Sequence, residues 1–230
     1  MNNENLIVIS LGGSIIIPDE IDYIFLKNFR DFIVKKIDSG YKFIIVTGGG
    51  KTARKYTNSV SKVIDNVSEY DLDMIGIYAT KLNAILIKTI FSEYAYKEIL
   101  ENPNIKIDTE KPIMVASGWE PGASSDLDTV LIAKTYEVSN IINLSNISYV
   151  YDKDPREYDD AKKVRNITWE NYRKIIPEKW SAGFSSPFDP IASKKAQEFG
   201  MKVAILNGRN VENLEKFLSD EEFEGTIINN

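Results

Sequence analysis

Histidine and cysteine are both absent from the 230 residues of the chain. Without imidazole there is no histidine acid–base chemistry, no imidazole metal ligation and no serine–histidine triad. Without thiols there is no disulfide framework, thiolate metal site or cysteine nucleophile, an absence that fits a reducing compartment. Any catalysis must therefore use carboxylates, lysines, arginines, backbone dipoles and metal. Positive charge is not in excess either: 28 Lys and Arg stand against 34 Asp and Glu, for a net charge of −6. That balance argues against a nucleic-acid partner, whose recognition needs clustered positive charge. No apolar run approaches the roughly 18 to 20 residues of a membrane span. The opening MNNENLIVIS also lacks the basic segment, long apolar stretch and cleavage site of a signal peptide. These absences predict a cytoplasmic protein with no membrane partner.

What is present is the profile of an ordinary globular chain, 43% hydrophobic and 27% charged, and one domain is expected over residues 1–230. Short β-branched runs recur at Leu6 to Leu11, Phe43 to Thr47, Pro112 to Ser117, Asn140 to Leu144 and Val203 to Leu206. Helical spacing lies between them, with one apolar stripe at Ile21, Phe25, Phe29, Phe32 and Ile33 and another at Leu82, Ile85, Leu86 and Ile90. Strands alternating with helices predict an α/β fold, a largely parallel sheet covered on both faces. The irregular stretches are Gly118 to Ser125, Tyr151 to Asp160 and Trp180 to Pro190. In such a sheet, ligands bind on loops that leave the carboxyl ends of strands.

Two strands run into glycine before a helical segment: Leu11-Gly12-Gly13-Ser14, and Thr47-Gly48-Gly49-Gly50-Lys51-Thr52-Ala53-Arg54. Glycine admits a phosphate close to the backbone, and the free N–H groups of a helix start suit an anion. Tight βα turns alone would also explain an isolated Gly-Gly, but three glycines followed by Lys and Arg favour two phosphate-bearing ligands. A P-loop is rejected, because Ile45 stands where the pattern needs its first glycine, and the dinucleotide fingerprint fails for want of a third glycine after Gly13. A further loop, Gly118 to Ser125, delivers Asp126 to a helix start. Capping by Ser124 or Ser125 and first-turn acids are the structural reading of that segment. Beside two anion turns, an acid there can instead orient a lysine or serve a nucleotide's Mg²⁺. Ser145, Asn146, Tyr151 and Asp154-Pro155 suit a nucleobase and ribose or a solvated turn equally well by composition.

Taken in order, these segments resemble the amino-acid-kinase family, and within it the UMP kinase branch of archaeal type. The likeness runs from Leu11-Gly12-Gly13-Ser14 to Glu224-Gly225-Thr226-Ile227-Ile228 and includes Gly48 to Lys51 with Ala53-Arg54, and Asp73 to Ile77 followed by Thr80, Asn83 and Ala84. It also takes in Ser124-Ser125-Asp126, Asn146 with Val150-Tyr151 and Asp154-Pro155, and Asp189-Pro190 with Ala192 and Lys194. The resemblance implies a three-layer αβα sandwich whose N-terminal part mainly binds the acceptor and whose C-terminal part mainly binds ATP. It implies ATP as phosphoryl donor, Mg²⁺ carried by the nucleotide, UMP as acceptor, no dedicated protein metal site, and a homo-oligomer, a hexamer. Residue by residue, Gly13 and Ser14 would contact the ATP phosphates, and Gly50 and Arg54 the phosphates near the transfer point. Gly49 and Asp73 would face UMP, with Gly118, Trp119, Glu120, Pro121, Gly122, Ala123 and Ser124 as the acceptor loop. Asp126 matches the acid at the reaction centre, and Ser145, Asn146, Tyr151 and Asp154 the ATP side.

The departures are local. Ser10 stands where many relatives carry a lysine, with Lys51 expected to supply the compensating charge, and Ser148-Tyr149 replaces the usual Asp-Gly on the ATP side. A phosphate-monoester acceptor with a second pKa of about 6 is already ionised near neutrality, so a histidine-free site can work with Lys51, Arg54, Asp126 and amide groups alone. The alternatives are an isopentenyl phosphate kinase, whose relatives usually carry a histidine near the second glycine turn, and a non-catalytic nucleotide-binding or storage protein on the same fold. Trp119, Trp169 and Trp180 are expected to pack rather than stack on a base, and Lys194 is a weaker candidate for the phosphates.

Overall fold

The computed structural model describes residues 5–176 and 186–230. Strands β1 (Leu6–Leu11), β2 (Lys42–Thr47), β3 (Ala95–Leu100), β4 (Ile113–Ala116), β5 (Asn140–Ser145) and β9 (Lys202–Asn207) pair in parallel in the order β3-β4-β2-β1-β5-β9. Beyond β9 the sheet continues with β10 (Thr226–Asn229), antiparallel to it, and then β8 (Asn166–Thr168), parallel to β10. A separate antiparallel pair joins β6 (Val150–Tyr151) to β7 (Lys163–Val164).

Alternation along the strands builds the two faces. From β1, Leu6 and Val8 enter one core, while Ile9 and Leu11 enter the other. The first core is covered by α5 (Ser125–Thr135), α6 (Trp169–Ile175) and α7 (Pro190–Glu198). The second is covered by α1 (Gly13–Ile16), α2 (Tyr23–Asp38), α4 (Glu69–Ile90) and α8 (Val211–Leu218). The result is the three-layer α/β arrangement expected from the sequence.

Helix α2 shows why these segments are helical. Asp22 caps it by accepting the Phe25 N–H at 3.0 Å, and Phe25, Leu26, Phe29, Phe32 and Ile33 fall on one buried face. Each such side chain contributes about 1.5–3 kcal/mol on burial. Ile21 precedes the cap and is exposed, so it is not part of that stripe. Half of the second expected stripe is corrected: Leu82 and Ile85 face solvent, whereas Leu86 and Ile90 pack against the second core, and the buried face of α4 carries Ile77, Thr80, Asn83, Ala84 and Ile87. Small and polar residues lie against the sheet there because the helix must approach the glycine turn and bond to it, as described below.

Edge strand β3 escapes the sequence pattern because Lys97 and Glu98 occupy its middle, which an edge tolerates. The chain leaves β1 for β2, β3 and β4 on one side and returns to β5 on the other, so the carboxyl ends of β1, β2, β4 and β5 open onto one crevice.

Candidate active site

The two glycine turns are in backbone contact. A Cβ on Gly13 would stand 2.1 Å from the Gly50 nitrogen, and one on Gly48 would stand 2.6 Å from the Gly13 nitrogen. Gly50 itself has φ +62°, and a Cβ there would lie 2.3 Å from the Gly13 carbonyl oxygen. Side chains at these positions would drive the turns apart, so the sequence elements read as two phosphate sites form one wall. Gly12 before α1 and Gly49 before α3 (Gly50–Val63) offer no side-chain cap, which leaves both helix starts open. Asn83 holds the second turn from behind, its Nδ2 donating to the carbonyls of Gly48 at 2.7 Å and Gly49 at 3.4 Å. Thr47 Oγ1 donates to the Thr80 carbonyl at 3.0 Å, tying the end of β2 to α4.

The basic residues of this turn differ in freedom. Lys51 is ion-paired with Asp19 in the segment before α2, so a phosphate must compete with that carboxylate for it. Arg54 is exposed and its guanidinium makes no ion pair among the described residues. Ser14 lies half-buried in α1, beside the wall. Lys194 is exposed on α7.

Three carboxylates gather behind the wall. Asp126 Oδ1 accepts from the Ser10 hydroxyl at 3.1 Å and from Asn143 Nδ2 at 3.3 Å, and Oδ2 accepts the Asp189 N–H at 3.1 Å. Asp126 keeps some surface on the crevice, yet its carboxylate is enclosed by β1, β5 and the turn into α7. That enclosure, reinforced by the charge of Asp189, raises its pKa to about 7 against the opposing hydrogen bonds from Asp189 N–H and Ser10. Asp128 is wholly buried and is also raised to about 7, first by burial and then by the charges of Glu120 and Asp126, with the Trp119 N–H opposing. Asp189 is raised by burial; the N–H groups of Ala192 and Ile191 and the Ser124 hydroxyl resist the shift. Its Oδ1 caps α7 by accepting the Ala192 N–H at 2.7 Å. Ser10, in the place where a lysine was looked for, thus serves as a hydrogen-bond donor to Asp126.

The loop from β4 to α5 arches over these acids. The Gly118 N–H donates to Thr80 Oγ1 at 2.7 Å, the Trp119 N–H to Asp128 Oδ2 at 3.2 Å, and the Gly122 N–H to Asp73 Oδ2 at 2.7 Å. Ala123 N–H closes a turn onto the Glu120 carbonyl at 3.1 Å, across Pro121, and Ser124 caps α5 by accepting the Leu127 N–H at 3.1 Å. Asp73 therefore binds the loop itself through one oxygen. Trp119 is half-exposed, whereas Trp169 is fully buried against Tyr172 and Phe188 with its indole N–H on the Met201 carbonyl at 2.8 Å. Trp180 lies outside the described residues.

Ser145, Asn146, Tyr151 and Asp154 line one cleft of about 550 Å³, joined by Arg156 and the apolar Ile175 and Ile176. Asp154 is held by Arg156 in a forked pair, Nε–Oδ1 3.0 Å and Nη2–Oδ2 2.6 Å, which lowers its pKa to about 2. Tyr149 turns inward and is buried, with Lys163 over its ring at 5.0 Å, and Ser148 meets Asn207 at 3.4 Å. Tyr149 still lines the cleft beside Val150 and Tyr151. Sequence reading did not single out Asn143, Asp128 or Arg156 for the site. A polar residue inside the apolar run of β5 and an acid on the buried face of α5 were the available signals.

A family model described as the amino acid kinase family matches residues 5–207. The chain is 34% identical to a uridylate kinase of Methanococcus aeolicus, over 97% of this chain and 99% of the relative, and 32% identical to one of Methanobrevibacter smithii, over 96% and 98%. Among solved structures, a uridylate kinase of Archaeoglobus fulgidus superposes with a TM-score of 0.80 at 27% identity, covering 96% of this chain and 99% of that one. A UMP kinase of Ureaplasma parvum, 21% identical with a TM-score of 0.77 and covering 98% and 99%, shares the fold. The paired glycine turns, the arched loop and the buried aspartates lie within the span that the family model matches, and this chain belongs to the amino acid kinase family.

Proposed function

We propose that this protein is a UMP kinase: it moves the γ-phosphoryl group of ATP onto UMP, giving UDP and ADP. The observation that carries the reading is the contact of the two glycine turns. That contact makes the two turns one wall, and we assign the cleft lined by Ser145, Asn146, Tyr151 and Asp154 to ATP and the loop of residues 118–124 to UMP. On that assignment the two phosphate groups would come together at the paired turns, near Asp126. The near full-length relatives that carry the name uridylate kinase support the same acceptor.

No residue needs to abstract a proton, since the UMP phosphate is ionised above its second pKa of about 6. The work left to the protein is alignment and charge balance. Arg54 supplies a free guanidinium at the wall, Lys51 a second charge once it leaves Asp19, and the amides of Gly13, Gly49 and Gly50 line the phosphate path. Asp126, half-protonated near neutrality in the empty site, becomes anionic when cations gather and orients them. Among the described residues no three acidic side chains form a cage for an ion. We assign Mg²⁺ to the phosphate oxygens of the nucleotide, where it would offset their charge. Asp73, with one oxygen committed to Gly122, keeps the other for the acceptor. The cleft residues Ser145, Asn146, Tyr151 and Asp154 take the adenosine side.

We place the active protein in the cytoplasm as a single domain and a homo-oligomer, a hexamer. No helix among the described residues is long and apolar enough to cross a membrane, and α4 presents the exposed apolar row Tyr78, Leu82 and Ile85. Light scattering that returned a monomer would remove the oligomer from this reading. The function itself is tested by incubating purified protein with Mg·ATP and UMP and resolving the nucleotides. UDP and ADP in equal amounts are expected, and ADP without UDP would mark an ATPase instead.

A further inference from the structure

Among the described residues, only Asp128 Oδ1 and Asp189 Oδ2 are buried side-chain polar atoms with no hydrogen-bond partner, and such atoms ask for a reason. Asp189 has one in its cap of α7. Asp128 caps nothing, since Ser124 already closes the start of α5. It lies one turn before Ile132 on the buried face of that helix, beside Thr129 and Val130, where an apolar side chain is the stable choice. The cost of burying a carboxylate there is offset by little: a single hydrogen bond, from the Trp119 N–H at 3.2 Å. Of the three side chains that pin the arch of residues 118–122, Thr80 and Asp73 belong to α4, and Asp128 alone belongs to α5. Helix α5 also carries Asp126, two residues earlier.

We propose that Asp128 is a positioning residue for the phosphoryl acceptor: it fastens the Trp119 amide, and with it the acceptor arch, in register with Asp126 on the same helix. The assignment deepens the UMP kinase reading and depends on it for the identity of the acceptor. It also accounts for an acid in a place that favours an apolar residue, because stability is given up where a site needs a fixed geometry. Removing the acceptor oxygen leaves the arch tied to α4 alone, through Thr80 and Asp73, and weakens UMP binding, while none of the residues that line the cleft at Ser145, Asn146, Tyr151 and Asp154 is altered.

The test compares D128A and D128N with the unaltered protein by steady-state kinetics and by deuterium uptake of the loop. D128A is expected to raise KM for UMP about tenfold, the worth of one hydrogen bond, with KM for Mg·ATP changed by less than about twofold. It should also speed exchange at residues 118–122 without speeding it across β1 or β5. D128N keeps an oxygen for the Trp119 N–H and should recover both properties to within about threefold. Equal changes in the two KM values, an unchanged KM for UMP, or no recovery in D128N would overturn the assignment. If D128A does not fold, D128S, whose hydroxyl ends short of the carboxylate oxygens, carries the same expectations. The exchange measurement needs no substrate, so it reports on the arch even if the protein does not phosphorylate UMP.

Discussion

Replacing Asp126 by Asn should make the empty protein more stable at pH 8 while abolishing most of its turnover. In the folded chain the Asp126 carboxyl is raised from 3.8 to about 7, mainly by burial and then by Asp189. A raised acid pKa means that the folded state holds a proton that the unfolded state has released. Stability from this group is therefore lost as pH climbs from about 4 to about 7, and is constant above. A shift of about three units corresponds to at most about 4 kcal/mol. Because Asp126 retains some surface on the crevice and an amide must place its own N–H groups beside Ser10 and Asn143, we expect about 1–3 kcal/mol at pH 8. For a chain of this size that is a rise in Tm of roughly 2–10 °C. At pH 4 the carboxyl is protonated in the folded state and the gain should vanish. The assay is thermal unfolding of both proteins at the two pH values, at fixed ionic strength and without nucleotide. Asp128 and Asp189 titrate in both proteins but are coupled to Asp126, so the difference reports the Asp126 carboxylate together with its repulsion with these neighbours. A variant less stable at pH 8, or one with the same difference at both pH values, would refute the burial of a destabilised carboxylate at Asp126. Turnover should fall about 100-fold or more, the usual scale for losing an electrostatic group from such a site.

Other substitutions probe the remaining parts. Gly50→Ala forces a side chain onto a backbone with φ +62° and into the Gly13 carbonyl, 2.3 Å away, so it should cost at least about 1–3 kcal/mol and strip activity, read by thermal unfolding and UDP formation. Arg54→Ala removes an exposed guanidinium with no ion partner, so Tm should stay within about 2 °C while kcat falls at least about tenfold; matching losses of fold and rate would mark it as structural. Asp154→Ala frees Arg156 in the ATP-side cleft and should raise KM for Mg·ATP more than KM for UMP, and the reverse order would exchange the two sides of the wall. The rate at low UMP should climb between pH 6 and 8 as UMP and Asp126 ionise, and the climb should be shallower in Asp126→Asn, as a pH profile of kcat/KM would report.

Much of this architecture was legible in the chain because parallel strands buried on both faces read as uninterrupted apolar runs. β2, β4 and β9 do so, and β1 and β5 depart from it inside the run only at Ser10 and Asn143. Strands at the sheet's ends did not, since β3 carries Lys97 and Glu98 and β8 and β10 are short. Helix α4 departs from the expected stripe for a physical reason: Tyr78, Leu82 and Ile85 face outward, while Thr80 and Asn83 turn inward to bond the loops. The spacing of the glycine turns points to an anion site, but their mutual contact is a tertiary fact that no spacing encodes. Asp128 and Asn143 looked like a first-turn acid and a strand residue, and only the fold gathers them around Asp126 and the arch. Lys51 was read as free charge, whereas its partner Asp19 lies 32 positions away in sequence.

The most direct test of the central claim is a comparison of kcat/KM for UMP, CMP and isopentenyl phosphate as acceptors with Mg·ATP, using the purified protein and its Asp126→Asn variant. UMP should be the preferred acceptor and should lose its advantage with Asp126. Preference for isopentenyl phosphate would keep the fold and contradict the acceptor, and tight ATP binding without turnover of any of the three would contradict catalysis altogether.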